Sequence, residues 1–249
     1  MTKPQNIYDN THFYKEYREM RESDLNANNL IEIPTIKAML PDLKGKRVLD
    51  LGCGNGGMSK YFIDNGATYV LALDISKNMI DEAKEKHNHE KIKYDVLGME
   101  NISKIKEKFD VVFSSLAFHY IEDFNKLASD IEILLNDNGI LLFSQEHPIA
   151  TAAILDKDLD NKVEINNKRY YLISDYNFNG KREKIWNDSN VTKYHRSFSL
   201  LINTLIKNNF NIMEINESKP SEEAIRLVEK YKYQNDRPYF LFVKAQKNN

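Results

Sequence analysis

Cysteine is nearly absent: Cys53 stands alone among 249 residues, which excludes an intramolecular disulfide and any metal site built on a cysteine cluster. Apolar runs are short, and none approaches the roughly 18 residues that a membrane span requires. The N-terminal stretch MTKPQNIYDNTHFYKEYREM lacks the apolar core of a secretory signal, so a cytoplasmic location is expected. An excess of charge is lacking too. With 35 Lys and Arg against 37 Asp and Glu, the net charge of −2 gives no basic field for non-specific capture of nucleic acid. Glycine is scarce, nine in all, yet Gly52, Gly54, Gly56 and Gly57 crowd one turn.

What is present fits one large domain, or one domain with an insertion, because 249 residues can bury most of an extended chain's apolar surface. Hydrophobic residues at 41% and charged residues at 29% are ordinary for a globular chain. Residues 1–45 read as helical, since HFYKEYREMRE and NNLIEIPTIKAML space their apolar residues near three and four. Over 46–147 apolar strands alternate with helices: RVLDL, a glycine turn, GMSKYFIDNG, YVLALD, SKNMIDEAKEKH, IKYDV, FDVVFSSL, FNKLASDIEILL, and GILLFSQE entered through Asp137-Asn138-Gly139. That rhythm calls for a parallel α/β sheet covered on both faces. It breaks over 148–196, a stretch rich in Asn, Asp, Lys and Tyr that reads as a cap with a short hairpin around RYYLISDYNFNGKRE. Alternation resumes over 197–249 with SFSLLINTLIKNN, FNIMEIN, SEEAIRLVEKY and RPYFLFVKA.

The glycine turn carries the chemistry. Gly52, Gly54 and Gly57 satisfy G-x-G-x-x-G, and Asp74 ends the second strand 20 positions after Gly54. In dinucleotide sites such glycines admit a ligand close to the backbone, and the acid binds ribose hydroxyls. Asp50, two residues before the first glycine, is poorly placed beside a pyrophosphate and well placed for a cation. S-adenosylmethionine joins an ammonium and a sulfonium to an adenosine.

VLDLGCGNG followed by VLALDIS closely resembles the cofactor-binding motifs of class I S-adenosylmethionine-dependent methyltransferases. FDVVFSSLAFHYIED and LNDNGILLFSQEHP resemble the fourth- and fifth-strand motifs of the branch that acts mostly on small molecules. The resemblance implies a Rossmann-like seven-stranded, mainly parallel sheet, order 3-2-1-4-5-7-6, with the last strand antiparallel. It implies S-adenosylmethionine as cofactor, S-adenosylhomocysteine as product, and methyl transfer to an O or N atom of a small molecule. Carried over by residue, Gly52, Gly54 and Gly56 bring backbone to the methionine part, with Asp50 orienting that loop or meeting the ammonium. Asp74 takes the ribose hydroxyls; Ile75 and Met79 flank the adenine. Gly98 stands where many relatives place an acid for the adenine amine, which leaves Met99 and Glu100 to supply that contact. Ser115 and Leu116 face the sulfonium. In the N-terminal lid, Phe13, Tyr17 and Arg21 share one helical face. Relatives use an aromatic and an arginine there to cover the cofactor and hold its carboxylate, so Tyr17 and Arg21 are assigned that role, with ordinary packing as the alternative.

Substrate residues are harder to read. His119, after the fourth strand, is the candidate general base, or else a histidine bonded to its own loop. His147, Trp186, Tyr194, His195 and Arg196 are candidates for the acceptor side, each with a structural alternative in capping or core packing. No Pro-Cys or [DN]-P-P-[YF] follows the fourth strand, against methylation of nucleic-acid bases, and no trio of acids or zinc set suggests a metal. Two further functions stay open at this point: a nicotinamide-dependent oxidoreductase, and a non-catalytic protein that binds the cofactor.

Overall fold

The computed structural model describes residues 5–152, 162–166, 168–186 and 188–249. The N-terminal segment opens with a 3-10 turn, Ile7–Asp9, and helix α1, Thr11–Glu22, whose first turn is capped by Asn10 Oδ1 accepting from Phe13 N at 3.1 Å. A π-helical turn, Asn28–Glu32, runs directly into α2, Ile33–Ala38, with Pro34 tolerated in its first turn.

The core then alternates as expected. It comprises β1 Arg47–Leu51, α3 Gly57–Asp64, β2 Tyr69–Asp74, α4 Lys77–His87, β3 Ile92–Val96, β4 Phe109–Ser114, α5 Phe124–Leu134 and β5 Leu135–Glu146. Ser76 caps α4 and Asp123 caps α5 through their side-chain oxygens, which fixes where each helix leaves its loop. After α6, Pro148–Thr151, come β6 Lys162–Ile165, β7 Lys168–Tyr171, β8 Gly180–Trp186 and β9 Ser189–His195. The chain closes with α7 Phe198–Lys207, β10 Phe210–Glu217, α8 Glu222–Leu227 and β11 Phe240–Lys247.

Seven strands form one sheet in the order β10-β11-β5-β4-β1-β2-β3. β11 is antiparallel to both neighbours, and the pairs from β5 to β3 are parallel. This is the expected Rossmann-like order, with β10 and β11 as the sixth and seventh strands. Period-two alternation sends Leu49 and Leu51 to one face, with α5 and α7, and Val48 to the other, with α3 and α4. Each fully buried Leu or Phe of these clusters contributes about 1.5–3 kcal/mol. The chain turns back at β1 and β4, and the crevice beyond their carboxyl ends is where ligands collect in such sheets.

Two expectations are corrected. β5 starts at Leu135, opposite Phe109; the ladder then resumes with Ile140 opposite Val111, so the Asn-Gly turn is a bulge with Asn138 at φ +60°. The segment RYYLISDYNFNGKRE does not pair with itself. Its first strand, β7, pairs with β6, and its last, β8, pairs with β9, giving two separate hairpins. Residues 153–161, 167 and 187 of the expected cap lie outside the described residues. No helix among the described residues is long and apolar enough to cross a membrane.

Candidate active site

The turn after β1 is anchored to β2. Gly52 N and Cys53 N donate to Leu73 O at 2.8 and 2.9 Å, and Gly54 N donates to Asp74 Oδ2 at 3.0 Å. Three of its glycines have positive φ, but for different ends. A Cβ on Gly52 would stand 2.7 Å from Ala117 Cβ, and one on Gly56 would stand 2.6 Å from the Tyr94 hydroxyl. At Gly54, with φ +52°, a Cβ would meet nothing within 4 Å. Gly54 therefore leaves space for a ligand, whereas Gly56 is required by packing. Gly56 itself does not line the cavity, although its neighbours Asn55 and Gly57 do.

Above the turn lies a cavity of about 1070 Å³, at the upper end of the ~300–1,000 Å³ usual for small-molecule sites. It gathers Asp50, Gly52, Gly54, Asp74, Ile75, Met79, Met99, Glu100, Ser115 and Leu116 from the strand ends and the turns and helices that follow them, and Tyr17 and Arg21 from α1. Asp50 is 1% exposed and accepts the Ser59 hydroxyl at 2.6 Å; burial nevertheless pushes its pKa up to about 7. Asp74 accepts from Gly54 N and Ser76 N, yet burial raises it to about 6. Two carboxyls raised in this way mark a site short of positive charge.

Other polar atoms of the wall are unpaired. Arg21 Nη1 and Glu100 Oε2 are buried without a hydrogen-bond partner. Glu100 Oε2 would lie 2.9 Å from a Cβ on Gly98, so the carboxylate occupies the space the glycine leaves.

The N-terminal segment is docked. Asp9 accepts from Ser76 Oγ at 2.6 Å, and the Tyr14 hydroxyl donates to Glu82 Oε2 at 2.5 Å. Phe13 is fully buried, 5.3 Å from the Trp186 ring, while Tyr17 sits 4.9 Å from Tyr8 and 6.2 Å from Trp186. Gln5 exchanges two 2.8 Å hydrogen bonds with β9, through Asn190 O and Thr192 N. The helix and the second hairpin therefore share one aromatic cluster.

The far end of the cavity is walled by Tyr8, His119, Tyr120, Glu146 and Trp186. Lys193, buried behind them, pairs with Glu146 and lies 5.4 Å from the Trp186 ring centre. Burial pushes the Glu146 carboxyl up, but Lys193 and His119 outweigh it and bring it to about 2. His119 Nδ1 accepts from Glu146 N at 3.3 Å, which places the proton of the neutral ring on Nε2. Burial, reinforced by Lys193 and Arg196, lowers its pKa to about 3. A ring so disposed is a hydrogen-bond donor and a poor base, which weighs against its expected role.

Of the acceptor-side candidates, Trp186 lines the cavity; His147, Tyr194, His195 and Arg196 do not. His147 caps α6 through Ile149 N at 3.1 Å and bonds Glu217 at 2.9 Å. His195 is held by Thr151 Oγ1 at 2.8 Å and Tyr176 O at 2.9 Å. Tyr194 alternates with buried Lys193 and His195 on β9 and so points away from them. Arg196 spends its guanidinium on the carbonyls of Phe118, Tyr194, Ile121 and Glu122. Sequence reasoning missed Tyr8, Tyr120, Glu32 and Lys193, the partner of Glu146. Only Glu32 carried a signal, an acid set between isoleucines. Away from the cavity lining, His12, Glu16 and Asp188 place possible ligand atoms within 4.8 Å of one another.

A mainly parallel sheet of this order, with an acid at or next to the end of each of the first two strands beside one glycine turn, defines an α/β protein whose site suits a cationic nucleoside. Residues 49–143 match the methyltransferase domain family. A putative S-adenosylmethionine-dependent methyltransferase from Listeria monocytogenes is 34% identical over 88% of this chain and 97% of its own, with TM-score 0.80. One from Mesorhizobium loti is 32% identical over 89% and 98%, also with TM-score 0.80. An uncharacterized protein of Haemophilus influenzae is 36% identical over 97% of this chain and 96% of its own length. The chain belongs to the S-adenosylmethionine-dependent methyltransferases, and S-adenosylmethionine is its cofactor.

Proposed function

We propose that this methyltransferase acts on an oxygen or nitrogen atom of a small molecule held between the strand ends and the second hairpin. The observation that carries this reading is the set of charged groups about one cavity, two of them with unpaired buried atoms and two of them carboxyls raised by burial. Arg21 Nη1 suits a carboxylate, Glu100 Oε2 suits the adenine amine, and Asp50 and Asp74 await positive charge and hydroxyl donors. These residues fit the cofactor group by group. Ile75, Met79 and Met99 supply the apolar walls for the adenine.

When bound, the cofactor supplies an activated methyl group on a positively charged sulfonium. The chain's own part is alignment and exclusion of water. Gly54 keeps the backbone open, Ser115 and Leu116 border the transfer point, and Tyr17 and Arg21 cover it from α1. His119 offers Nε2–H to orient the acceptor, and Tyr120 and Trp186 give it flat apolar walls. The test is titration with S-adenosylmethionine, S-adenosylhomocysteine and NADH, followed by an isotope-labelled methyl donor offered to metabolite pools. Preference for NADH, or no label in any small molecule, would sink the proposal.

A further inference from the structure

The far end of the cavity is a box of aromatic rings with one ion pair in its wall. Tyr8, Tyr17, Tyr120 and Trp186 all line the cavity. Neighbouring rings meet edge to face: Tyr8 and Tyr17 at 73°, Tyr17 and Trp186 at 86°, and Tyr8 and Tyr120 at 89°. Walls set at such angles can enclose a flat ring or a compact cation, since aromatic faces hold both. Charge decides between them.

Glu146 is the acid of this wall, its side chain 29% exposed, and Lys193 takes its Oε1. The Lys193 side chain is 10% exposed and does not line the cavity. Burial pushes its ammonium down, but Glu146 and Tyr120 more than offset this, so it stays charged. It lies 5.4 Å from the Trp186 ring centre and 6.0 Å from that of Tyr120, within reach of a cation–π contact with each. The place of a cationic guest is therefore already filled from within the protein. A second cation would meet Lys193 as well as Glu146, and an anion would meet the Glu146 carboxylate; either would shed its water for no net return. Lys184 and Arg196 add positive charge from outside the lining, which weighs further against a cation. Lys162, which does line the cavity, is exposed, where water and salt screen it. The other polar groups of the box are neutral: burial pushes the Tyr8 and Tyr120 hydroxyls up and keeps His119 uncharged.

We propose that Lys193 is a built-in counter-cation that makes this box electroneutral, so that the methyl acceptor is an uncharged aromatic ring bearing its reacting oxygen or nitrogen. The proposal rests on the methyltransferase reading and narrows its acceptor class. The ring packs among the four aromatic side chains, with His119 as donor and the Glu146 carboxylate as acceptor for its polar substituents. Lys193 is a positioning residue: it touches Glu146 and the outer side of the box, and it acts on the acceptor through them.

The test saturates the full chain with S-adenosylhomocysteine and titrates three bicyclic probes of nearly one shape: 2-naphthol, neutral; 1-methylquinolinium, a cation; and 2-naphthoate, an anion. Calorimetry gives the affinities, and the emission of Trp186, the single tryptophan of the chain, reports occupancy of the box. The wild-type chain should bind naphthol about tenfold or more tighter than either charged probe. Lys193→Met leaves Glu146 without its partner, so quinolinium should gain about tenfold while naphthol changes by less than about threefold. Equal affinities, preference for a charged probe, binding of none, or an unchanged quinolinium affinity in Lys193→Met would each overturn the proposal. If Lys193→Met does not fold, Glu146→Gln replaces it: naphthoate must then gain, and an unchanged naphthoate affinity overturns the proposal. A wild-type chain that fails to bind S-adenosylhomocysteine at all would sink the methyltransferase reading itself.

Discussion

Cofactor affinity should fall with acidification, and the carboxyls that cause it can be named. Asp74 titrates near 6 and Asp50 near 7 in the free protein, each raised by burial. The ionised forms are the ones that accept ribose hydroxyls and meet positive charge. The sign follows: binding is full above about pH 7 and weakens as pH drops through the raised values. If ligand contact returns Asp74 to about 4, the dissociation constant for S-adenosylhomocysteine should be roughly tenfold weaker at pH 5 than at pH 8, one pKa unit being worth about 1.4 kcal/mol. Binding must also release protons. At pH 6 Asp74 alone should give up about half a proton per ligand, read from the dependence of the calorimetric enthalpy on the ionisation heat of the buffer. His119, lowered to about 3, and Glu146, lowered to about 2, do not titrate in this window. Asp74→Asn should remove that half proton and weaken binding by roughly 1.5–3 kcal/mol at pH 8. A dissociation constant that is flat from pH 5 to 8, with no buffer dependence, would refute the reasoning.

Gly54→Val should fold but lose cofactor binding in calorimetry, because its side chain enters open space at φ +52° rather than a neighbour. Gly52→Ala should instead lower the melting temperature, since its Cβ would press on Ala117 and Met99. Arg196→Met should destabilise by about 2–4 kcal/mol in denaturant unfolding, leaving buried carbonyls unpaired. It should leave S-adenosylhomocysteine affinity unchanged, because the guanidinium does not line the cavity. Hydrogen exchange should slow in α1 and around Gly52 to Gly56 when S-adenosylhomocysteine binds, since covering segments come from the less stable parts of a fold. Equal rates in both states would leave α1 as packing alone.

What the sequence made legible was local. The strands of the core are short apolar runs bounded by turns, and capping residues such as Ser76 lie in the same few residues as the helix they start. The strand order followed from a resemblance that these motifs carry. The glycine turn and Asp74 are likewise a local signal, twenty residues apart and joined by one hydrogen bond. The hairpins were misread because alternation in RYYLISDYNFNGKRE is equally compatible with several partners, and the strands actually chosen lie on either side of that stretch. The acceptor side failed for a stronger reason. A histidine or arginine after a strand end can face a cavity or satisfy a carbonyl, and the choice depends on what folds beside it. Arg196 found four carbonyls, three of them on the loop after β4; His147 found its own helix and Glu217. Conversely, Glu32 is buried as it is only because Ser115 and Ser144, 83 and 112 positions away, stop beside it. The partners of a buried acid arrive from strands that a linear reading cannot bring together. The strand-end side of the cavity, from Asp50 to Glu100, is therefore written in one contiguous stretch, and the side walled by Tyr8, Tyr120, Glu146 and Trp186 is written across the whole chain.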